Sequence, residues 1–177
     1  SRGYEQWAKI HNLKLAAKTM NFLTEHKIEQ YADLVSRIEE INAENVKTAD
    51  ALKSVEKRLA DMAVLMKHVT TYQKTKPVYE AYRRAKDKDA YRAKQESSLI
   101  LHEAAAKALK AAGVTKLPNL AAMQEEYGKL QAQKEALYTD YGKLKKQVKE
   151  YDVIKRNIDS ILWQGKEPER EKGKERE

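Results

Sequence analysis

Apolar side chains recur along this chain at steps of three and four, the spacing of helices that bury one stripe. Between residues 4 and 25, Trp7, Ile10, Leu13, Ala17, Met20 and Leu23 form such a stripe, broadened by Phe22 near its end. A helix of about six turns is predicted there. A short connection at His26-Lys27 follows, after which Ile28 packs back before the next helix. From Tyr31 the alternation becomes strict: Tyr31, Leu34, Ile38, Ile41, Asn45, Thr48, Leu52, Val55, Leu59, Met62, Met66 and Val69. This is an a/d heptad pattern, interrupted by polar groups only at Asn45 and Thr48. A buried Asn at one a position fixes register at some cost in stability; the alternative is a local break over Asn45-Val46-Lys47-Thr48.

Pro77 lacks an N–H and pushes Lys76 away from α geometry, so the first long helix is expected to kink or stop near Thr75 and to restart with Pro77 in its first turn. Val78 to Lys86 and Ala90 to Ala112 read as two further helical stretches joined through Lys86-Asp87-Lys88-Asp89. Gly113 ends the second as a C′ residue, and Pro118-Asn119 opens the last helix with Asn119 as its N-cap. That helix repeats the heptad rule through Leu120, Met123, Tyr127, Leu130, Lys134, Leu137, Tyr141, Leu144, Val148, Tyr151, Ile154 or Lys155, Ile158 and Leu162. Tyr127-Gly128-Lys129-Leu130 returns two heptads later as Tyr141-Gly142-Lys143-Leu144, with both glycines at solvated b positions.

Two helices of about 43 residues, each roughly 65 Å long, match in length and are predicted to pair antiparallel. The register sets Tyr31 against Leu162, Asn45 against Val148, Leu59 against Lys134 and Gln73 against Leu120. The expected fold is all-α: an elongated antiparallel two-helix coiled coil with a helical tip insertion and an N-terminal helix. Its parts are an N-terminal helix (1–27), a long helix (28–76), the tip (77–117), the second long helix (118–164) and a charged tail (165–177), which is expected to be disordered because it lacks apolar residues.

Composition agrees with thin seams. Charged residues make up 35% of the 177 residues and aromatics 7%, with only 6 Gly and 3 Pro to supply turns. No Cys is present, which excludes disulfides and thiolate metal sites and fits a reducing compartment. No apolar run is long enough to span a bilayer and no secretory leader is visible, so a cytoplasmic protein without membrane insertion is expected. The chain opens on Ser1 without an initiator Met, which is expected of a piece of a longer protein.

Charge is polarised along the chain, whose net charge is +8. Residues 31 to 66 hold five bases and seven acids; residues 67 to 94 hold nine bases and only Glu80, Asp87 and Asp89 as acids. Lys74, Lys76, Tyr79, Arg83, Arg84, Lys86, Lys88, Tyr91, Arg92 and Lys94 combine cations that neutralise phosphates with aromatic faces that stack on bases. They are the candidate nucleic-acid-binding residues, although Tyr79 and Tyr82, one turn apart, could instead close the core of the tip. His11, His26, His68 and His102 are scattered without metal-ligand spacing, and no phosphate-binding loop, dinucleotide fingerprint or serine-hydrolase motif occurs. No catalytic residue, metal or cofactor is expected.

Several stretches together carry a family resemblance: Tyr4-Glu5-Gln6-Trp7-Ala8-Lys9-Ile10-His11-Asn12-Leu13-Lys14, Lys67-His68-Val69, Tyr72-Gln73-Lys74-Thr75-Lys76-Pro77-Val78-Tyr79 and Leu101-His102-Glu103-Ala104-Ala105. Asp140-Tyr141-Gly142-Lys143-Leu144-Lys145-Lys146 and Tyr151-Asp152-Val153-Ile154-Lys155-Arg156-Asn157-Ile158-Asp159-Ser160-Ile161-Leu162 complete it. Over nearly all of residues 3 to 163 the chain resembles the C-terminal helical region of relaxases, the mobilisation nucleases of conjugative transposons from Gram-positive bacteria. Relaxases nick one DNA strand with a Tyr nucleophile and a metal-binding His cluster in an N-terminal domain, and neither is visible here. The resemblance implies a non-catalytic accessory module that binds origin-of-transfer DNA or the nicked strand. The alternative is a scaffold that recruits relaxosome or secretion-coupling proteins through its helical faces, and homodimerisation through exposed seam residues is a third possibility.

Overall fold

The computed structural model describes residues 1 to 164, the side chains of Trp163 and Gln164 excepted; the charged tail expected at 165–177 lies outside the described residues. The described chain is helical throughout, with no strand: α1 (Arg2–Glu25), α2 (Tyr31–Arg84), α3 (Lys88–Lys94), α4 (Glu96–Ala111) and α5 (Leu120–Gln164). None of these helices is long and apolar enough to cross a membrane. The chain divides into two compact units, one of Ser1–Ala49 with the chain from Thr139 onward, the other of Asp50–Tyr138.

In the first unit the start of α2 packs against the end of α5. Leu34, fully buried, shares a cluster with Ile28, Tyr151 and Ile154, against which Phe22, Leu23, Ile38, Ile41 and Ile158 pack. Tyr31 donates to Asp159 at 2.8 Å, close to the antiparallel register read from the heptads. Asn45 and Thr48 lie inside an unbroken α2, so the local break weighed for them does not occur. The Asn45 carboxamide oxygen is buried and has no hydrogen-bond partner among the described residues.

α1 closes this unit with only the end of the predicted stripe, Phe22 and Leu23, joined by Thr19. Thr19 is buried and receives a hydrogen bond from Asn157 at 3.3 Å, while Phe22 meets Tyr151 edge-on at 5.0 Å. Ile10, Leu13 and Met20, expected on the packed stripe, are 52%, 70% and 62% exposed. Docking takes up the side holding Thr19, Phe22 and Leu23 and leaves the earlier residues of the stripe outward. The helix ends in a Schellman turn: Lys27 N–H reaches Thr24 O at 3.2 Å and Ile28 N–H reaches Leu23 O at 2.9 Å. Lys27 sits at φ +55°, a conformation that glycine adopts without penalty.

In the second unit Val55 and Leu59 of α2 cluster with Leu130 of α5, and Val69 clusters with Met123 and with Leu109 of α4. Lys134, the charge in the α5 heptad row, is held by Glu56 at 3.8 Å, and Tyr138 donates to the same carboxylate at 3.0 Å. α4 ends in a second Schellman turn, this time with Gly113 at φ +77°, and Asn119 Oδ1 caps α5 by accepting from Ala122 N–H at 3.2 Å. Both were expected. The space around Gly128 and Gly142 is open, as their solvated positions require.

The helix boundaries near Pro77 differ from expectation. α2 does not stop there; it continues through Pro77 to Arg84. An interior proline costs a helix about 3 kcal/mol, chiefly by leaving the carbonyl four residues back without its N–H. Aromatic packing of the following two turns offsets that cost. The stretch expected as one helix from Ala90 to Ala112 is divided at Gln95, whose ψ of 25° ends α3 and starts α4.

Two substitutions probe these features. Lys27→Gly should raise the unfolding free energy by about 1 kcal/mol, since it removes the left-handed penalty on a non-glycine residue, and urea denaturation measures it. Asn45→Leu should stabilise the chain by about 1 to 2 kcal/mol in the same assay, because the unpartnered buried oxygen disappears.

Candidate nucleic-acid interface

Beyond Val69 the buried row of α2 continues as Tyr72, Thr75, Tyr79 and Tyr82, again in steps of three and four. This row receives His102 of α4, which is 3% exposed. The imidazole lies against Tyr72 at 4.6 Å between ring centroids and against Tyr79 at 4.4 Å, nearly parallel to the second at 18°. Thr75 Oγ1 donates to the Thr71 carbonyl at 2.7 Å. The same Oγ1 lies 2.9 Å from His102 Nδ1, so the imidazole and the hydroxyl are hydrogen-bonded inside the row.

The aromatic row runs outward from there. Tyr79 and Tyr82 are 6.4 Å apart, Tyr82 and Tyr91 are 6.3 Å apart, and the Tyr91 hydroxyl donates to the Val78 carbonyl at 3.2 Å. That last bond ties α3 to α2 beside Pro77. The Arg92 guanidinium lies 5.1 Å from the Tyr82 ring centroid and pairs with Glu103, and Lys88 Nζ stands 6.0 Å from the same ring. Hydrogen bonds to Glu103 and then to Tyr82 raise the Arg92 pKa. α3 begins at Asp87, whose carboxylate accepts from Ala90 N–H at 3.1 Å.

The ten candidate binding residues thus fall into two groups. Tyr79, Tyr91 and Arg92 are half-buried and engaged within the second unit, and Lys88 leans on Tyr82 although exposed. Lys74, Lys76, Arg83, Arg84, Lys86 and Lys94 are exposed, and none makes an ion pair among the described residues. The arrangement is an aromatic interior with a cationic exterior. Tyr82, expected as a residue that could close the tip core, organises it together with Thr75, His102 and Glu103, which were not among the candidates. The signal for two of the missed residues was present in spacing: Thr75 extends the α2 row, and His102 falls between Leu99, Ala105 and Leu109 on the buried side of α4.

Among the described residues no group of three or more His, Asp or Glu side chains is placed to hold a metal ion. No protein-family model, curated protein or solved structure matches the chain. The chemistry of the surface must therefore be argued from its own groups.

Burial pushes the His102 pKa down, opposed by a backbone hydrogen bond at Tyr72 and by the Glu103 charge. Because the folded state resists protonation, the unfolded chain binds the proton first as pH falls through about 6.5. The contribution of this ring to stability is complete above that pH and declines below it. Thermal melts should accordingly lose stability between pH 7 and pH 5, by no more than about 1.4 kcal/mol per pH unit from this one proton. His102→Gln should be less stable at pH 7 yet show a flatter pH dependence.

Proposed function

We propose that this chain is a non-catalytic nucleic-acid-binding module that holds DNA against the outer cations of the α2 end and α3. The observation that carries the reading is positive charge without partners. Lys74, Lys76, Arg83, Arg84, Lys86 and Lys94 are exposed and make no ion pair among the described residues, and they are grouped within residues 67 to 94, where nine bases stand against three acids. Unneutralised cations grouped on adjoining turns are suited to a polyanion, whose condensed counterions they displace.

The aromatic rings refine the reading. With Tyr79 stacked on His102 and Tyr91 bonded to Val78, their faces serve the interior, so affinity on this surface comes from phosphates rather than from base stacking. Binding of that kind is tolerant of sequence. It fits an accessory role of the sort the relaxase resemblance implies, in which another domain nicks the strand and this one holds the transfer-origin duplex or the released strand. A scaffold role toward a protein partner draws on a different surface, the outward face of α1.

Replacing Arg83, Arg84 and Lys94 together by Glu tests the reading, because all three are exposed and unpaired and the fold should survive, as circular dichroism would report. DNA affinity at about 0.1 M salt should fall at least roughly tenfold, and the slope of log K against log salt should shrink by about two to three. Unchanged affinity with an unchanged slope would sink the proposal.

A further inference from the structure

The first half of α1 stands apart from the packing of its unit. From Arg2 to Lys14 every residue is exposed except Ala8, which is half-buried. An unsupported helix of that length is marginal in water. It nevertheless carries Tyr4, Trp7, Ile10 and Leu13 at 70%, 59%, 52% and 70% exposure, and Met20 follows on the outward side at 62%.

Ile10, Leu13, Ala17 and Met20 are spaced by three, four and three, which confines them to a sector of about 80° on a helix turning 100° per residue. The sector is the narrow a/d seam of a helix that pairs with one other helix, narrower than the broad apolar face of a helix lying on a bilayer. With Ile10 at a and Leu13 at d, the flanking g positions hold Arg2, Lys9 and Ala16 and the e positions hold Trp7, Lys14 and Asn21, so every charge on the flanks is positive. From Arg2 to Asn21 the flanks contain no carboxylate.

Those flanks decide the occupant. A second copy of α1 would set lysines against lysines, since it offers no acid at e or g. The segment 165–177 has no apolar side chain beyond Pro168 with which to fill a seam. We infer that the outward seam of α1 docks an acidic amphipathic helix of another protein, one with apolar residues at a and d and Asp or Glu at e and g.

The seam shares no residue with the cations of α2 and α3, so its test does not depend on DNA binding. In the full chain carrying Trp163→Phe, Trp7 is the single tryptophan and reports on the seam. The probes are a three-heptad peptide with Leu at a and d and Glu at e and g, and its counterpart with Lys at e and g. The Glu peptide should shift Trp7 emission to the blue in a saturable titration, and the Lys peptide should not. Ile10→Asp with Leu13→Asp should weaken the response at least tenfold. Lys9→Glu with Lys14→Glu should transfer it to the Lys peptide. Because these side chains are exposed, the variants should keep the wild-type helix content.

Four results would overturn the inference: equal response to both peptides, a shift only with anionic phosphatidylglycerol vesicles, a shift produced by raising the concentration of the chain alone, or no response to any probe. The vesicle result would assign the stripe to a lipid surface, and the concentration result would assign it to a second copy.

Discussion

Burial along one narrow row of α2 is the constraint on which the rest of this structure depends. The chain is 35% charged and 7% aromatic, so it has little with which to fill a thick core. It relies instead on small clusters placed at intervals along helices, each with a few buried side chains and a fringe of half-buried ones. Leu34 in one unit and Val69 and Leu99 in the other are the large side chains buried most completely. Polar groups that enter these rows must find partners within them. Lys134 finds Glu56, whereas the Asn45 oxygen finds none among the described residues.

The same row explains how α2 survives Pro77. A proline in mid-helix removes a hydrogen bond, yet Tyr72, Thr75, Tyr79 and Tyr82 keep the heptad steps across it and share one surface. His102 seats between two of those rings and accepts no charge there readily, since burial favours its neutral form. With the aromatic groups turned inward, the exposed positions on these turns are left to lysine and arginine. The proposed DNA-binding surface is thus the outer side of a packing solution, and its affinity would come from charge density rather than from rings offered to bases.

α1 shows the opposite economy. Its packed face is short and partly polar, built around Thr19, Phe22 and Leu23, while a longer and more apolar seam faces outward. A helix with two apolar sides cannot satisfy both within one small unit. The side that docks is the one whose neighbours on α5, Tyr151 and Asn157, supply an aromatic edge and an amide donor.

Much of this was legible in the amino-acid sequence because helical periodicity is local. The all-α class, the apolar stripes of the long helices, the turn at His26-Lys27, the cap at Asn119 and the terminator at Gly113 all follow from spacing and from the conformational limits of single residues. What periodicity cannot encode is which of two similar stripes meets a neighbour, or whether a local penalty is outweighed. The outward orientation of Ile10 and Leu13 was decided by the docking of α1 on α5, and the continuity of α2 through Pro77 by the packing of Tyr72 and Tyr79 against His102 of α4. The division of the ten basic and aromatic candidates into engaged and free groups was decided in the same way. Each of these outcomes is a sum over contacts between segments distant in sequence, and only the tertiary structure brings those segments together.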